Sequence, residues 1–153
     1  MRAVVQRVAW AKVEALGEIT GAIDHGLLVY LGAGKGDTDA DRAWVLSKVL
    51  GLRIFESAEP GGTGKMDKSV VDVGGSLLVV SQFTLYGDVK KGRRPSFDSA
   101  MPPEEAQGAY EAFVAEARAQ GIRVETGRFR AEMKVSSLND GPVTIWIDSA
   151  KSA

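Results

Sequence analysis

No cysteine occurs among the 153 residues, and His25 is the only histidine. The first absence excludes disulfides, thiol nucleophiles and cysteine-ligated zinc, and it makes the cytoplasm the expected compartment. The second removes the base that a Ser-His-Asp triad requires. His25 stands between Asp24 and Gly26, a turn context that favours a solvated side chain over a lone catalytic base. Long apolar runs are missing as well: Gly26 to Ala33 and Ser76 to Leu85 fall well short of the about 18 to 20 residues of a membrane span, so a soluble protein is expected. The stretch Met1 to Val8 reads as a strand and lacks the apolar core of a signal peptide. Neither sign of charge dominates. With 19 Lys and Arg against 20 Asp and Glu the formal net charge is -1, so any contact with nucleic acid has to be local.

What is present describes one domain over residues 1–153, since 44% hydrophobic residues in a chain of this length can bury a real core. Arg2 to Leu16, Glu18 to Ile23 and Gly26 to Gly32 read as a strand meander, with a turn at Gly17. Ala43, Leu46, Val49 and Leu50 recur at helical spacing within Thr38 to Leu50. Leu52 to Phe55 is expected to return to the sheet, Ala58 to Lys68 to form a loop, and Ser76 to Leu85 to be a central strand. A second helix opens at Pro102-Pro103-Glu104-Glu105, buries Ala106, Tyr110, Phe113, Val114 and Ala117, and closes at Gly121. Strands return from Ile122 to Asp148, so the class is α+β and not an alternating βαβ fold.

Two glycine-lysine stretches, Gly32-Ala33-Gly34-Lys35-Gly36 and Gly61-Gly62-Thr63-Gly64-Lys65-Met66, invite comparison with phosphate loops. Both lack the Ser or Thr that must follow the lysine, and the glycine spacing is wrong, so both are read as flexible loops. Asp37-Thr38-Asp39-Ala40-Asp41 reads as a helix start, with a cap for orphan N–H groups and acids at the positive helix end. No metal and no cofactor are expected.

Chemistry is sought where polar residues interrupt apolar strands. Ser81-Gln82-Phe83-Thr84 closes the run Leu77-Leu78-Val79-Val80, and period-two alternation sets Ser81 and Phe83 on one face and Gln82 and Thr84 on the other. A threonine hydroxyl can attack when a base is near, and a glutamine amide or strand-end N–H groups can donate to an oxyanion. An ordinary solvent-facing strand shows the same residue types. Lys90-Lys91-Gly92-Arg93-Arg94 concentrates four of the 19 basic residues in one loop, which suits phosphate contacts or simple solvation. Asn139-Asp140-Gly141-Pro142 separates the strand-like runs Met133 to Leu138 and Val143 to Ile147. It is turn chemistry, yet proline lacks the ladder N–H and a Gly-Pro bond goes cis for only about 0.5–1 kcal/mol, so a kinked segment with outward carbonyls is the competing reading.

Taken together, Met1-Arg2-Ala3-Val4-Val5-Gln6-Arg7-Val8, Gly26-Leu27-Leu28-Val29, Leu52-Arg53-Ile54-Phe55, Gly64-Lys65-Met66, Leu78 to Leu85, Arg94-Pro95-Ser96-Phe97, Thr126-Gly127-Arg128-Phe129 and Asn139-Asp140-Gly141-Pro142-Val143-Thr144 resemble the D-aminoacyl-tRNA deacylase family from end to end. Ser-Gln-Phe-Thr, followed nearly 60 residues later by Asn-Asp-Gly-Pro-Val-Thr, carries most of the specificity. The resemblance implies antiparallel-rich sheets forming a barrel-like core with two main amphipathic helices. It also implies a homodimeric hydrolase that cleaves the ester between the 3′-terminal adenosine of tRNA and a D-amino acid, or glycine on a wrong tRNA. Hydrolysis then falls to Ser81, Gln82, Phe83 and Thr84, and substrate contacts to Gly141, Pro142, Phe129, Ala131 and Met133. Gly141-Pro142 is expected to be cis and to reach into the partner's active site, where its carbonyls crowd an L-aminoacyl side chain. Lys90, Lys91, Arg93 and Arg94 are the expected tRNA contacts. A non-catalytic module that binds tRNA ends or a small ligand is the alternative.

Two mechanisms fit that resemblance: attack by the Thr84 hydroxyl, or attack assisted by the ribose 2′-OH and a positioned water, with the protein orienting the ester and supplying oxyanion donors. No base near Thr84 can be named from the sequence, which favours the second. One position departs from the family pattern. Arg130 stands in Phe129-Arg130-Ala131-Glu132-Met133 where the family usually has a small residue; it either crowds the adenosine, contacts a phosphate or points to solvent.

Overall fold

A computed structural model describes residues 1–57 and 64–151. Strands β1 (Arg2–Ala15), β2 (Glu18–Ile23) and β3 (Gly26–Gly32) form the expected meander, the first two joined by a two-residue turn in which Leu16 and Gly17 have φ of +53° and +76°. Helix α1 (Asp39–Gly51) starts where the acid cluster is: the N–H and hydroxyl of Thr38 both donate to Asp41 Oδ2, at 2.8 and 2.9 Å. Strands β4 (Phe55–Glu56) and β5 (Met66–Lys68) pair with each other in a separate two-stranded sheet, so Leu52 to Phe55 does not rejoin the main sheet. Phe55 goes into the core instead, 1% exposed. The loop expected over 58–68 ends earlier, at β5; its residues 58–63, with the first half of the second glycine-lysine stretch, lie outside the described residues. Then come β6 (Ser76–Ser81), a 3-10 turn (Phe83–Tyr86), α2 (Pro103–Ala119), β7 (Val124–Thr126) and β8 (Met133–Asp148).

Along one edge of β1, Arg2 to Val8 pair with β3 and Ala11 to Ala15 pair with β2; β8 runs antiparallel along the other edge over both halves. Beyond β3 lie β6 and then β7, both parallel to their neighbour, in the order β2-β1-β3-β6-β7. The α+β class therefore holds, with two helix-bearing parallel crossovers inside it, β3-α1-β6 and β6-α2-β7. The sheet curls until β7 returns to β2. Thr20 Oγ1 donates to the Thr126 carbonyl at 3.3 Å, and a Cβ on Gly21 would sit 2.5 Å from that same oxygen, so only glycine lets the barrel draw this nearly closed.

Alternation along the central strands divides the core in two. Ala3, Val5, Leu27, Val29, Leu31, Leu77 and Val79 pack toward the helices with Val45, Val49, Phe113 and Ala117; Val8, Ala11, Val13, Leu28, Leu78 and Val80 fill the barrel interior. Strands covered on both faces read as unbroken apolar runs, which is why Leu27 to Leu31 and Leu77 to Val80 show no polar alternation. Among the described residues, no helix is long and apolar enough to cross a membrane.

Candidate active site

The polar cluster that begins at Ser81 lies where β6 stops. Leu31 and Ser81 form the last pair of the β3–β6 ladder, and Gln82 N–H still reaches Leu31 O at 2.8 Å. The backbone then coils into the 3-10 turn, so the strand ends at Ser81 and not at Leu85, and the two-face alternation expected for Ser81 to Thr84 does not occur. Tyr86 and Arg2 account for the coil. Tyr86 is buried, Arg2 Nη1 donates to the Leu85 carbonyl at 2.9 Å, and the guanidinium lies 4.3 Å from the Tyr86 ring centre while its Nε pairs with buried Asp148 at 3.1 Å. Gln82 and Thr84 are brought together by the coil: Gln82 Nε2 donates to Thr84 Oγ1. The amides of Phe83 and Thr84 open the turn, and among the described residues neither has a backbone acceptor.

Beside this turn is a cleft of about 740 Å³. Four stretches of the chain supply most of its lining, with Met1 added from just before β1: Ser81, Gln82 and Phe83; Phe129, Arg130, Ala131 and Met133; Leu31, Ala33 and Lys35; and residues between Phe97 and Pro103 with Tyr110 of α2. Phe83 meets Phe97 edge-on, with ring centres 5.1 Å apart. The structure thus gathers Ser81, Gln82, Phe83, Phe129, Ala131 and Met133 at one cleft, with Thr84 on the adjoining turn. Sequence reasoning missed the third and fourth groups. Gly32 to Gly36 is not a loose loop: Lys35 N–H donates to Ser99 O at 2.9 Å, Met101 N–H to Ala33 O at 3.0 Å, and Gly34 N–H to Asp37 Oδ2 at 2.7 Å. Those partners lie up to 68 residues away in the chain, beyond the reach of any local pattern.

No base is in place for Thr84. Among the described residues, its hydroxyl accepts from the Gln82 amide, and no carboxylate or imidazole lies within hydrogen-bonding distance. His25 lies at the opposite end of β3 and β6, five residues of rise or roughly 17 Å from Ser81, with its ring edge-on to Phe55. Tyr110 is held protonated: burial pushes its hydroxyl up to about 12, and it donates to Val79 O at 2.7 Å. Tyr86 is pushed up further by the same cause. Among the described residues no group of three or more His, Asp or Glu could hold a metal ion.

Lys90, Lys91, Arg93 and Arg94 are all exposed, at the tip of a small hairpin closed by a backbone pair between Asp88 and Ser96 (2.7 and 2.9 Å). Phe97, just past its base, lines the cleft, so the cationic tip is joined directly to the cleft wall.

Gly141-Pro142 lies elsewhere. Gln6 of β1 faces Thr144 and Val8 faces Asn139, so four residues of β8, Asp140 to Val143, bulge out opposite Arg7 alone. The bond is cis, and both residues are exposed. Arg7 braces the bulge by donating from Nε to Asp140 O at 3.0 Å and from Nη1 to Ile54 O at 2.8 Å; Asn139 Oδ1 accepts from Val143 N–H at 3.1 Å. Gly141 has φ +133°, and a Cβ there would sit 2.9 Å from Val143 Cγ2 and 3.0 Å from Arg7 Nη2. Three strand spacings and four residues of rise separate this bulge from Ser81, about 20 Å along the sheet, and neither residue lines the cleft of its own chain.

Known proteins resemble the chain over nearly its whole length. Residues 4–148 match the family model described as D-Tyr-tRNA(Tyr) deacylase. Proteins named D-aminoacyl-tRNA deacylase from Desulfitobacterium hafniense (strain DSM 10664 / DCB-2) and Koribacter versatilis (strain Ellin345) are 56% and 57% identical over 152 and 151 residues, each alignment covering 99% of both chains. A solved structure titled c-Myc DNA Unwinding Element Binding Protein superposes with a TM-score of 0.88 at 43% identity, over 97% of this chain and 98% of that one. Another, of a probable eukaryotic D-amino acid tRNA deacylase, shares the fold with a TM-score of 0.81 at 18% identity, over 95% and 97%. The chain belongs to the D-Tyr-tRNA(Tyr) deacylase family.

Proposed function

We propose that this hydrolase frees tRNA from D-amino acids, and from glycine attached to the wrong tRNA, by cleaving the ester to the 3′-terminal adenosine in the cleft beside Ser81 to Thr84. The observation that carries the reading is the convergence at one cleft of the strand end Ser81-Gln82-Phe83 with Phe129, Ala131 and Met133, which are 46 or more residues apart in sequence. The N–H groups of Phe83 and Thr84, without backbone acceptors among the described residues, serve as donors for the oxyanion, and Gln82 orients Thr84. Thr84 lacks a base, so attack is assigned to water, helped by the ribose 2′-OH, with Thr84 as a positioning group and not the nucleophile. Phe129, Ala131 and Met133 take the adenosine; Lys90, Lys91, Arg93 and Arg94 take the acceptor-stem phosphates.

Selection against L-aminoacyl groups belongs to Gly141 and Pro142 of a second copy in a homodimer. The roughly 20 Å between this bulge and its own Ser81 supports action in trans. Exposed Trp10, Leu138 and Trp146 on β1 and β8 supply apolar surface for such a dimer. The expected site of action is the cytoplasm. A nucleic-acid-binding module without catalysis is the second reading, favoured by the name of the relative at 43% identity and by the exposed basic hairpin. Incubation of the purified protein with D-tyrosyl-tRNA and L-tyrosyl-tRNA separates the two: D-selective release of tyrosine is expected, and binding without release would establish the module instead.

A further inference from the structure

Lys35 and Arg130 both line the cleft, from segments 95 residues apart, and neither side chain has a hydrogen-bond or carboxylate partner among the described residues. Six other arginines are engaged, among them Arg2 with Asp148, Arg42 with Glu116, Arg128 with Glu18, and Arg7 with two carbonyls, whereas Arg53, Arg93 and Arg94, also without such a partner among the described residues, do not line the cleft. Arg130 is also held at φ +64°, a left-handed conformation that a residue with a Cβ adopts only at a cost. A cost kept at the margin of a cleft points to a use for the side chain. The single carboxylate lining the cleft, Asp98, makes an ion pair with neither cation. An aminoacyl ester offers these cations nothing negative at the amino acid, because its carboxyl group is esterified and its amine is basic. The nearest anion is the phosphodiester on the 5′ side of the terminal adenosine. Resting on the deacylase reading, we infer that Lys35 and Arg130 form a two-cation grip on that phosphodiester, distinct from the Lys90 to Arg94 hairpin, which serves phosphates further along the strand.

The test compares two synthetic esters as substrates of the full chain: D-tyrosyl-adenosine, which has no phosphate, and D-tyrosyl-cytidylyl-adenosine, which has one phosphodiester. The grip requires a higher kcat/KM for the dinucleotide ester, and the ratio of the two should fall about 3- to 10-fold in Lys35→Ala and in Arg130→Gly. The salt dependence of the dinucleotide reaction should flatten in each variant. Arg130→Gly should keep its thermal midpoint, because glycine is at ease at positive φ. A ratio that stays at the wild-type value in both variants overturns the inference, as does an equal loss on both esters with a lowered midpoint, which would mark a structural role. An equal fall of the ratio in the Lys90→Ala/Lys91→Ala double variant overturns it too, by assigning the phosphate to the hairpin. Absence of D-tyrosyl-tRNA hydrolysis by the unaltered protein would sink the deacylase reading itself, whereas hydrolysis with an unaltered ratio sinks only the grip.

Discussion

Ser81 to Tyr86 and Asn139 to Val143 both interrupt the main sheet, but they do so in opposite ways. The first ends a strand covered on both faces, coils inward, and is fastened by Arg2 to Leu85 O and by the buried Tyr86. It opens on a cleft that its own chain completes with Phe129 to Met133. The second bulges outward from a strand at the sheet edge, is braced from behind by Arg7 and Asn139, and presents Gly141 and Pro142 to solvent. On the proposed reading the first region cleaves the ester and the second, which does not line the cleft of its own chain, selects D over L. Rate and selectivity should therefore separate under mutation.

Removing an oxyanion donor should have the largest effect. Phe83→Pro deletes one amide at the first position of the turn, where proline is tolerated, and kcat should fall about 100- to 1000-fold on D-tyrosyl-tRNA. Phe83→Ala keeps the amide and controls for loss of the Phe97 contact. Next comes Gly141→Ala, whose methyl must displace Val143 or Arg7; the ratio of D- to L-tyrosyl-tRNA hydrolysis should drop about 10-fold with kcat for the D-substrate largely kept. Equal losses in rate and selectivity from either variant would dissolve the division. Thr84→Ala should cost less than about 10-fold in kcat, measured in single-turnover assays, since an obligatory nucleophile could not be removed so cheaply.

How much of this could be read in the residues varied with distance along the chain. Helix α1 announced itself through Thr38 and its acids, and α2 through Pro102-Pro103 and the stripe Tyr110, Phe113, Val114 and Ala117, because caps and 3.6-residue periods are local. The meander was legible for the same reason. The parallel pairing of β3 with β6 and of β6 with β7 was not, since register between strands some 50 residues apart leaves no mark in either. At the site, Ser81 to Thr84 stood out, but the end of the strand at Ser81 depends on Arg2, 79 residues earlier. Lys35 was hidden by a glycine-rich context that resembled a failed phosphate loop, and the left-handed Arg130 has no sequence signature because arginine ordinarily avoids that conformation.

A change far from both regions should touch neither property and marks the smallest effect. Asp41→Asn weakens the start of α1 and should cost about 0.5–1 kcal/mol in denaturant unfolding at pH 7, with rate and selectivity intact. The Thr38 backbone N–H, above all, holds the Asp41 carboxyl below its ordinary value. Its contribution is therefore present above the unfolded-state pKa of about 4 and is lost as pH falls through the lower folded value. Between those two values, the stability difference between variant and unaltered protein should shrink with acidification.

The central claim, that one chain cleaves and its partner's Gly141 and Pro142 select, is tested most directly by mixed dimers. Phe83→Pro and Gly141→Ala chains are unfolded together, refolded as a mixture, and assayed on D- and L-tyrosyl-tRNA. In the heterodimer, the intact strand end of the Gly141→Ala chain faces the unaltered bulge of the Phe83→Pro chain. The account predicts a D-to-L ratio restored toward the unaltered value at that one working site. A mixture no more selective than the Gly141→Ala protein alone would contradict it, because the bulge would then act within its own chain or not at all.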